Sequence, residues 1–252
     1  VGFDVGAEAY DRFMGRYSVG LAAPLADLAG VSNGQRALDV GCGPGALTRE
    51  LVSRLGPDAV AAVDPSSSFV DAARERNAGV DVRLASAEDL PFGDGEFDAS
   101  LAQLVVHFMA DPVAGLREMA RVTRAGGAVA ACVWDHGGGQ GPLSLFWEAV
   151  HSLDADARDE SELAGAREGH LAELFATAGL RVIEETVLAV RVEHVSFEEW
   201  WEPFTLGVGP AGAYVTGLSD GDRDRLRELC RARLPSPPFA VTARAWAVRG
   251  RP

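Results

Sequence analysis

A run of alternating glycines sets the first chemical question. Gly41-Cys42-Gly43-Pro44-Gly45 follows directly on a short apolar run, Ala37–Val40. Glycine tolerates φ > 0 and carries no Cβ, so a chain built this way can turn tightly and approach a ligand closely. Asp64 stands 19 residues beyond Gly45, close to the roughly 20 at which an acidic side chain meets ribose hydroxyls in nucleotide-type folds. A carboxylate suits a diol, because it accepts charge-assisted hydrogen bonds from both hydroxyls. The plainer role for Asp64 is to cap a helix beginning near Ser66–Ser68. For proton transfer, His107 is the first candidate base and His136 the second, since imidazole titrates near working pH. The alternative for His107 is a helix-start residue satisfied by backbone. Trp200, Trp201, Phe204 and Tyr214 crowd one segment and could line an acceptor pocket or simply fill a core.

The turn comes near the dinucleotide fingerprint G-x-G-x-x-G, whose third position here is Ala46, a substitution the motif tolerates. Pro44, however, removes a backbone N–H that a phosphate would want, and Gly45 is an extra glycine. A ligand without phosphates suits this turn better.

The elements that must carry these residues read as an α/β protein. Ala37–Val40 is long enough for a buried strand, and Leu47, Leu51 and Leu55 recur at helical spacing after the turn. Ala59–Val63 predicts a second strand ending in Asp64, then a helix through Phe69, Val70 and Ala73 that stops at Gly79. Val80–Leu84 alternates as a third strand, and Glu96–Gln103 forms a fourth after a Gly93-Asp94-Gly95 turn. Ala102 and Gln103 close that strand, at the sheet edge where open α/β folds bind ligands. A helix over Val113–Thr123, closed by Arg124–Gly127, leads to an uninterrupted apolar fifth strand, Ala128–Trp134. Gly15 is expected to interrupt the helical spacing of Tyr10, Phe13, Met14 and Tyr17, with a further helix over Leu21–Ala29. Beyond residue 135 the pattern predicts helices over Phe146–Leu153, His170–Ala178 and Asp220–Leu234, and strands over Arg181–Val195 and Phe239–Val248.

Several of these stretches resemble one family. Leu38-Asp39-Val40-Gly41-Cys42-Gly43-Pro44-Gly45 is similar to the first motif of class I S-adenosylmethionine (SAM) dependent methyltransferases. Ala85-Ser86-Ala87-Glu88-Asp89-Leu90-Pro91-Phe92 resembles their Gly-Asp-Ala-Glu-x-Leu-Pro-Phe segment, with Ser86 in place of the usual Asp. Phe97-Asp98 through Asp111-Pro112, and Arg121–Gly127 with Ala125 where proline is common, complete four ordered matches over residues 37–134. Tyr10-Asp11-Arg12-Phe13-Met14-Gly15-Arg16-Tyr17 looks like the N-terminal cap of the small-molecule members, of the type found in ubiquinone and menaquinone biosynthesis. The resemblance implies a Rossmann-like, seven-stranded, mostly parallel sheet with helices on both faces, a helical N-terminal cap and an insertion before the last strand. It implies SAM as cofactor, held by Asp39, Gly41, Cys42 and Gly43 of the turn, Asp64 and Pro65, and the Ser86-Ala87-Glu88 segment near adenine. From the cap, Tyr10, Arg16 and Tyr17 would reach it, Arg16 through a fork suited to its carboxylate.

Composition narrows the partners. The net charge of −14 disfavours nucleic acid or an anionic membrane, which need a basic footprint. The 252 residues include no lysine, which removes P-loop, Schiff-base and kinase-type lysines together. Cys42, Cys132 and Cys230 are too widely spaced for a disulfide framework or zinc site. No apolar run approaches the roughly 18 residues of a membrane span, and the N-terminal stretch, with Asp4, Glu8 and Asp11, has no basic leader. A cytoplasmic setting is the default expectation.

The sequence therefore predicts one domain over 1–252: a cap over 1–35, a cofactor core over 36–135, and a substrate-side half over 136–252 with an insertion over 196–236. The expected activity is methyl transfer from SAM to a small-molecule O, N or C atom, without a metal. His107 is the catalytic candidate, and His136, Trp200, Trp201 and Tyr214 are the acceptor-side candidates. Two alternatives stay open: a SAM-binding regulatory or cyclase-like protein, and a nicotinamide-dependent oxidoreductase.

Overall fold

The computed structural model describes residues 6–252; Asp4 and the start of the expected cap lie outside them. The chain opens with α1 (Ala7–Tyr10), runs through a π-helical turn at Asp11–Gly15 and continues directly into α2 (Arg16–Ala29). Gly15 thus does not break the helix. The wider turn absorbs it, and helicity persists to Gly30, a left-handed C-cap. Then come β1 (Ala37–Val40), α3 (Ala46–Leu55), β2 (Val60–Asp64), α4 (Ser67–Arg76), β3 (Asp81–Leu84), β4 (Phe97–Gln103), α5 (Pro112–Val122) and β5 (Thr123–Trp134). The second half adds α6 (Ser144–His151), α7 (His170–Thr177), β6 (Arg181–His194), α8 (Phe197–Trp201), α9 (Gly209–Gly217), α10 (Asp220–Arg233) and β7 (Phe239–Arg251).

All seven strands join one sheet in the order β3-β2-β1-β4-β5-β7-β6. The first five are parallel, and β7 runs antiparallel between β5 and β6. The seven-stranded, mostly parallel architecture expected above is the one observed. Burial on both faces explains the apolar run of β5. Ala128, Ala130, Cys132 and Trp134 enter the core with α2 and α6, while Val129, Ala131 and Val133 enter the one with α5 and α7.

The fifth strand starts five residues earlier than its apolar run suggests. The Thr123 hydroxyl donates to Met119 O and shares a hydrogen bond with the Ser100 hydroxyl, tying the helix end to β4, and Thr123 already pairs with Phe97. Gly127 then presses against β4, where a Cβ would lie 2.6 Å from Asp98 O. The residues that resembled a helix stop are a strand entry. Between β6 and β7, the insertion forms α8, a 3-10 turn, α9 and α10. No helix among the described residues is long and apolar enough to cross a membrane.

Candidate active site

Because β1, β2 and β4 are parallel, their carboxyl ends open at one edge, and a cavity of about 560 Å³ lies there. It is lined by Gly41 and Gly43 from the turn after β1, Asp64–Ser67 after β2, Ser86–Glu88 after β3, and Gln103–Val105 and Phe108–Ala110 after β4. Tyr10 and Phe69 close one side, their rings edge to face at 5.4 Å.

The glycine turn is docked on β2. Gly41 and Cys42 both donate their N–H to Val63 O, at 2.8 and 2.9 Å, and Gly45 N–H bonds Cys42 O at 2.9 Å. Gly43 N–H donates to Asp64 Oδ2 at 2.8 Å, and Asp64 Oδ1 accepts from Ser66 N–H at 2.9 Å. With Pro44 lacking an N–H, every donor from 41 to 45 is absent or spent within the chain. A pyrophosphate would find none there. Gly41 holds φ +69° with Val105 methyls packed where a Cβ would go, whereas Gly43, at φ +52°, has no atom within 4 Å of that position.

Asp64 stabilises the start of α4 through Ser66 N–H, and its carboxylate also lines the cavity. Burial raises its pKa, the two backbone donors opposing. Beyond β4, Leu104 adopts φ +62°, a left-handed geometry costing roughly 1–2 kcal/mol for a branched residue. Its N–H is fixed to Cys132 O at 2.9 Å. That turn directs Val105, Phe108 and Met109 onto the cavity wall. Gln103 donates Nε2–H to Ser18 O at 2.9 Å, while its buried Oε1 has no partner. Glu88 Oε1 accepts from Ala110 and Asp111 N–H, so this carboxylate anchors the β4–α5 loop.

Nine sequence candidates meet at the cavity: Tyr10, Gly41, Gly43, Asp64, Pro65, Ser86, Ala87, Glu88 and Gln103. Three lie beneath it. Asp39 is buried, with Oδ2 accepting the Thr48 hydroxyl at 2.6 Å and Oδ1 without a partner; burial pushes its pKa up to about 7. Cys42 packs with Ala62, Val70, Ala73 and Val82, and Ala102 is buried between β1 and α5 residues.

The remaining candidates are placed elsewhere. Arg16 pairs with Glu199 at 2.8 Å and donates to Glu193 O, which ties the cap to the insertion and turns its fork away from the cavity. Tyr17 meets His194 Nε2 at 3.3 Å. Trp200 and Trp201 are both buried around Phe197 and Phe204, and Tyr214 packs on Trp147 at 5.9 Å. His107 is buried behind Phe108, 3.9 Å between ring centroids, and lies outside the cavity lining. Desolvation, with His136 next, pulls its pKa well below the ordinary imidazole value. His136 lies 6.2 Å from it and lines a separate chamber. Sequence reasoning missed Ser66, Ser67, Phe69, Leu104, Val105, Phe108, Met109 and Ala110. The usable signal was position alone, immediately after the ends of β2 and β4.

A Rossmann-like sheet with its cavity over a glycine turn and a strand-end acid is the architecture that the chain shares with solved methyltransferase structures. Residues 38–131 match the family model Methyltransf_11, a methyltransferase domain. The chain is 33% identical over 129 residues to the malonyl-[acyl-carrier protein] O-methyltransferase of Serratia marcescens, covering 49% of this chain and 50% of that protein. It is 41% identical over 103 residues to the demethylmenaquinone methyltransferase of Mycobacterium sp. strain KMS, covering 41% and 43%. The chain thus spans half or less of the length of these curated relatives. In fold it is similar to the geranyl diphosphate C-methyltransferase of Streptomyces coelicolor A3(2), solved with Mg²⁺, geranyl diphosphate and S-adenosyl-L-homocysteine. The TM-score is 0.54 at 18% identity, over 91% of this chain and 77% of that one.

Proposed function

We propose that this protein binds SAM in the 560 Å³ cavity and transfers its methyl group to a small-molecule acceptor. The observation that carries the reading is the turn. Its backbone donors are all used internally, while the Asp64 carboxylate beside it remains at the cavity wall. That combination suits a nucleoside bearing a diol and no phosphate, and it disfavours a nicotinamide dinucleotide. The quinone-type and acyl-carrier-linked acceptors of the relatives support a small-molecule substrate, and the charge of −14 argues against nucleic acid.

In this reading Asp64 accepts the ribose hydroxyls, Gly41 and Gly43 border the amino-acid end, and Ser86 and Ala87 border the adenine. Gln103 Oε1 is the buried acceptor awaiting a donor such as the cofactor's ammonium. Arg16 and Tyr17, committed to Glu199 and His194, hold the cap rather than the ligand. SAM, when bound, supplies an electrophilic methyl on a sulfonium leaving group.

The protein's contribution is alignment for in-line displacement, worth roughly 7–11 kcal/mol when reactants are fully oriented. No histidine lines the cavity, and both Asp64 and Glu88 are engaged by backbone N–H groups. The geometry therefore favours an acceptor whose O, N or C atom is nucleophilic without a protein base. Calorimetry with SAM and with S-adenosylhomocysteine tests the first step, and methyl transfer from labelled SAM into small-molecule extracts tests the second. Absence of micromolar binding by both compounds would overturn the proposal.

A further inference from the structure

The sheet has two open edges, and the chain treats them differently. At one end β3 is four residues long and carries the Asp81–Arg83 ion pair. A short, charged edge is a poor template for another strand. At the other end β6 runs for 14 residues, paired along one side by β7. From Glu184 to Val192, none of its backbone groups has a backbone partner beyond β7 among the described residues. Its middle, Thr186-Val187-Leu188-Ala189-Val190, has neither charge nor proline. Such an edge offers a row of free N–H and C=O groups to a partner strand.

Apolar surface gathers along the same edge. Val187 is 42% exposed and Ile183 39%. On α2, which lies against β6, Val19 is 51% exposed and adjoins Gly20, where a Cβ would run into Val190. A bulge between Val182 and Glu184 interrupts the ladder, which confines regular pairing to the residues after it.

The side-chain pattern selects the partner. Glu185, Val187, Ala189 and Arg191 share one face of β6, and Glu184, Thr186, Leu188, Val190 and Val192 share the other. Opposed residues of an antiparallel pair lie on one face, so a second β6 fits only in registers that keep each face together. A two-fold axis at Leu188 sets Glu185 opposite Arg191 of the second copy, twice, with Val187 opposite Ala189 and Thr186 opposite Val190. An axis at Ala189 would set Glu185 against Glu193, and one at Val187 would set it against Ala189. In neither does Glu185 meet a cation.

We propose that β6 docks a second copy of this chain, the two strands pairing antiparallel about Leu188 to make one continuous sheet. The contact is isologous and closed, so it leaves neither β6 edge free. Backbone hydrogen bonds and apolar contact hold it, and the charges fix its register, because opposite charges across strands stabilise and like charges destabilise. Within one chain Arg191 pairs with Glu193 at 2.8 Å, both well exposed, an attachment too weak to compete. Each copy carries −14, so association needs salt enough to screen that repulsion.

Sedimentation equilibrium at about 100 μM chain and about 0.15 M salt reads the association directly, and a dimer is expected. Arg191→Glu sets two carboxylates against each other, and Glu185→Arg sets two guanidiniums; each alone should weaken the dimer at least about tenfold. Mixed in equal amounts, the two variants should dimerise with each other, because both charge pairs across the axis are then opposite in sign. Both positions are exposed and neither lines the 560 Å³ cavity, so the variants should keep the parent's fold and SAM affinity. A parent chain monomeric at that concentration overturns the proposal and leaves the edge to a different partner. A dimer untouched by either single change, or a mixture that stays monomeric while the parent dimerises, overturns it as well. In the parent, amide hydrogen exchange over residues 184–192 should slow as the dimer forms, and unchanged exchange there would refute the β6 contact.

Discussion

Replacing Asp64 by asparagine tests the cofactor site with the least change of shape. The carboxylate holds two backbone donors, Gly43 N–H at 2.8 Å and Ser66 N–H at 2.9 Å, one on each oxygen. An amide keeps one acceptor and turns an NH₂ toward the other donor, so one charge-assisted bond of about 1.5–3 kcal/mol is lost whichever way it rotates. Relief of the desolvation that raises the Asp64 pKa offsets part of this. A net destabilisation of about 1–2 kcal/mol remains, or roughly 2–8 °C in Tm for a chain of this size. On the ligand side, one ribose hydroxyl loses its ionic acceptor, which weakens SAM by about tenfold to about 150-fold. Calorimetry with S-adenosylhomocysteine and its 2′-deoxy analogue separates the two effects. The parent protein should discriminate strongly between them and the variant little, since the missing hydroxyl and the missing charge remove the same contact. If folded Asp64→Asn protein binds SAM within threefold of the parent, or discriminates against the deoxy analogue as well as the parent does, Asp64 does not hold the diol.

Four further perturbations follow from the same geometry. Gly41→Ala combines a left-handed φ with contacts of 2.5 Å to both Val105 methyls, and should cost about 2–5 kcal/mol by thermal unfolding. Gly43→Ala, with open space around its added methyl, should cost only about 1–2 kcal/mol yet weaken SAM more than its stability loss accounts for; the reverse ranking in melting and calorimetry would misplace the ligand. Arg76 pairs with Asp11 of the cap at 2.6 Å and reaches Pro44 O of the turn at 3.5 Å, both ends partly exposed. Arg76→Ala should change stability by under about 1 kcal/mol but speed SAM dissociation by up to about fivefold in stopped flow; an unchanged off-rate would show that the cap does not gate the site. The Asp39 carboxyl titrates near 7 when folded and near 4 when unfolded, so the folded state holds its proton longer. Its burial therefore costs nothing below about pH 4, and a penalty grows through pH 7 to at most about 4 kcal/mol. Denaturant titrations should show the parent losing stability relative to Asp39→Asn as pH rises from 4 to 8, and parallel curves would refute the buried-acid account.

What the sequence revealed follows from which interactions are local. The first βα unit was legible because its determinants lie within a few residues: an apolar run for β1, glycines where φ is positive, and leucines spaced for α3. Asp64 was legible because strand β2 and the turn are joined by one helix of fixed length. The cap side chains were not. Arg16 carries the charge to meet a carboxylate, but its partner, Glu199, arrives from an insertion 183 residues later. Nothing near Arg16 discloses that competition. His107 illustrates the same limit: its rank as a base rested on residue type and on following a strand. Its burial behind Phe108 depends on the left-handed kink at Leu104, a conformation no branched residue advertises.

The kink and the turn bear on ligand choice by different means, and in the proposed reading they act together at this edge of the sheet. A Rossmann-type turn that keeps its N–H groups free favours an anion. Here Val63 O, Asp64 and Cys42 O take those groups, so the turn offers surface without positive potential. The Asp64 carboxylate and Gln103 Oε1, both at the cavity, make the region electronegative. A cationic sulfonium or ammonium is favoured in such a place, and a phosphate is repelled. Leu104 then brings Val105, Phe108 and Met109 onto the cavity wall, an apolar side that lowers the local dielectric and strengthens each of those electrostatic preferences. The strain at one backbone position is thus the structural cost of the wall, and relieving it with Leu104→Gly should stabilise the turn locally while loosening the ligand.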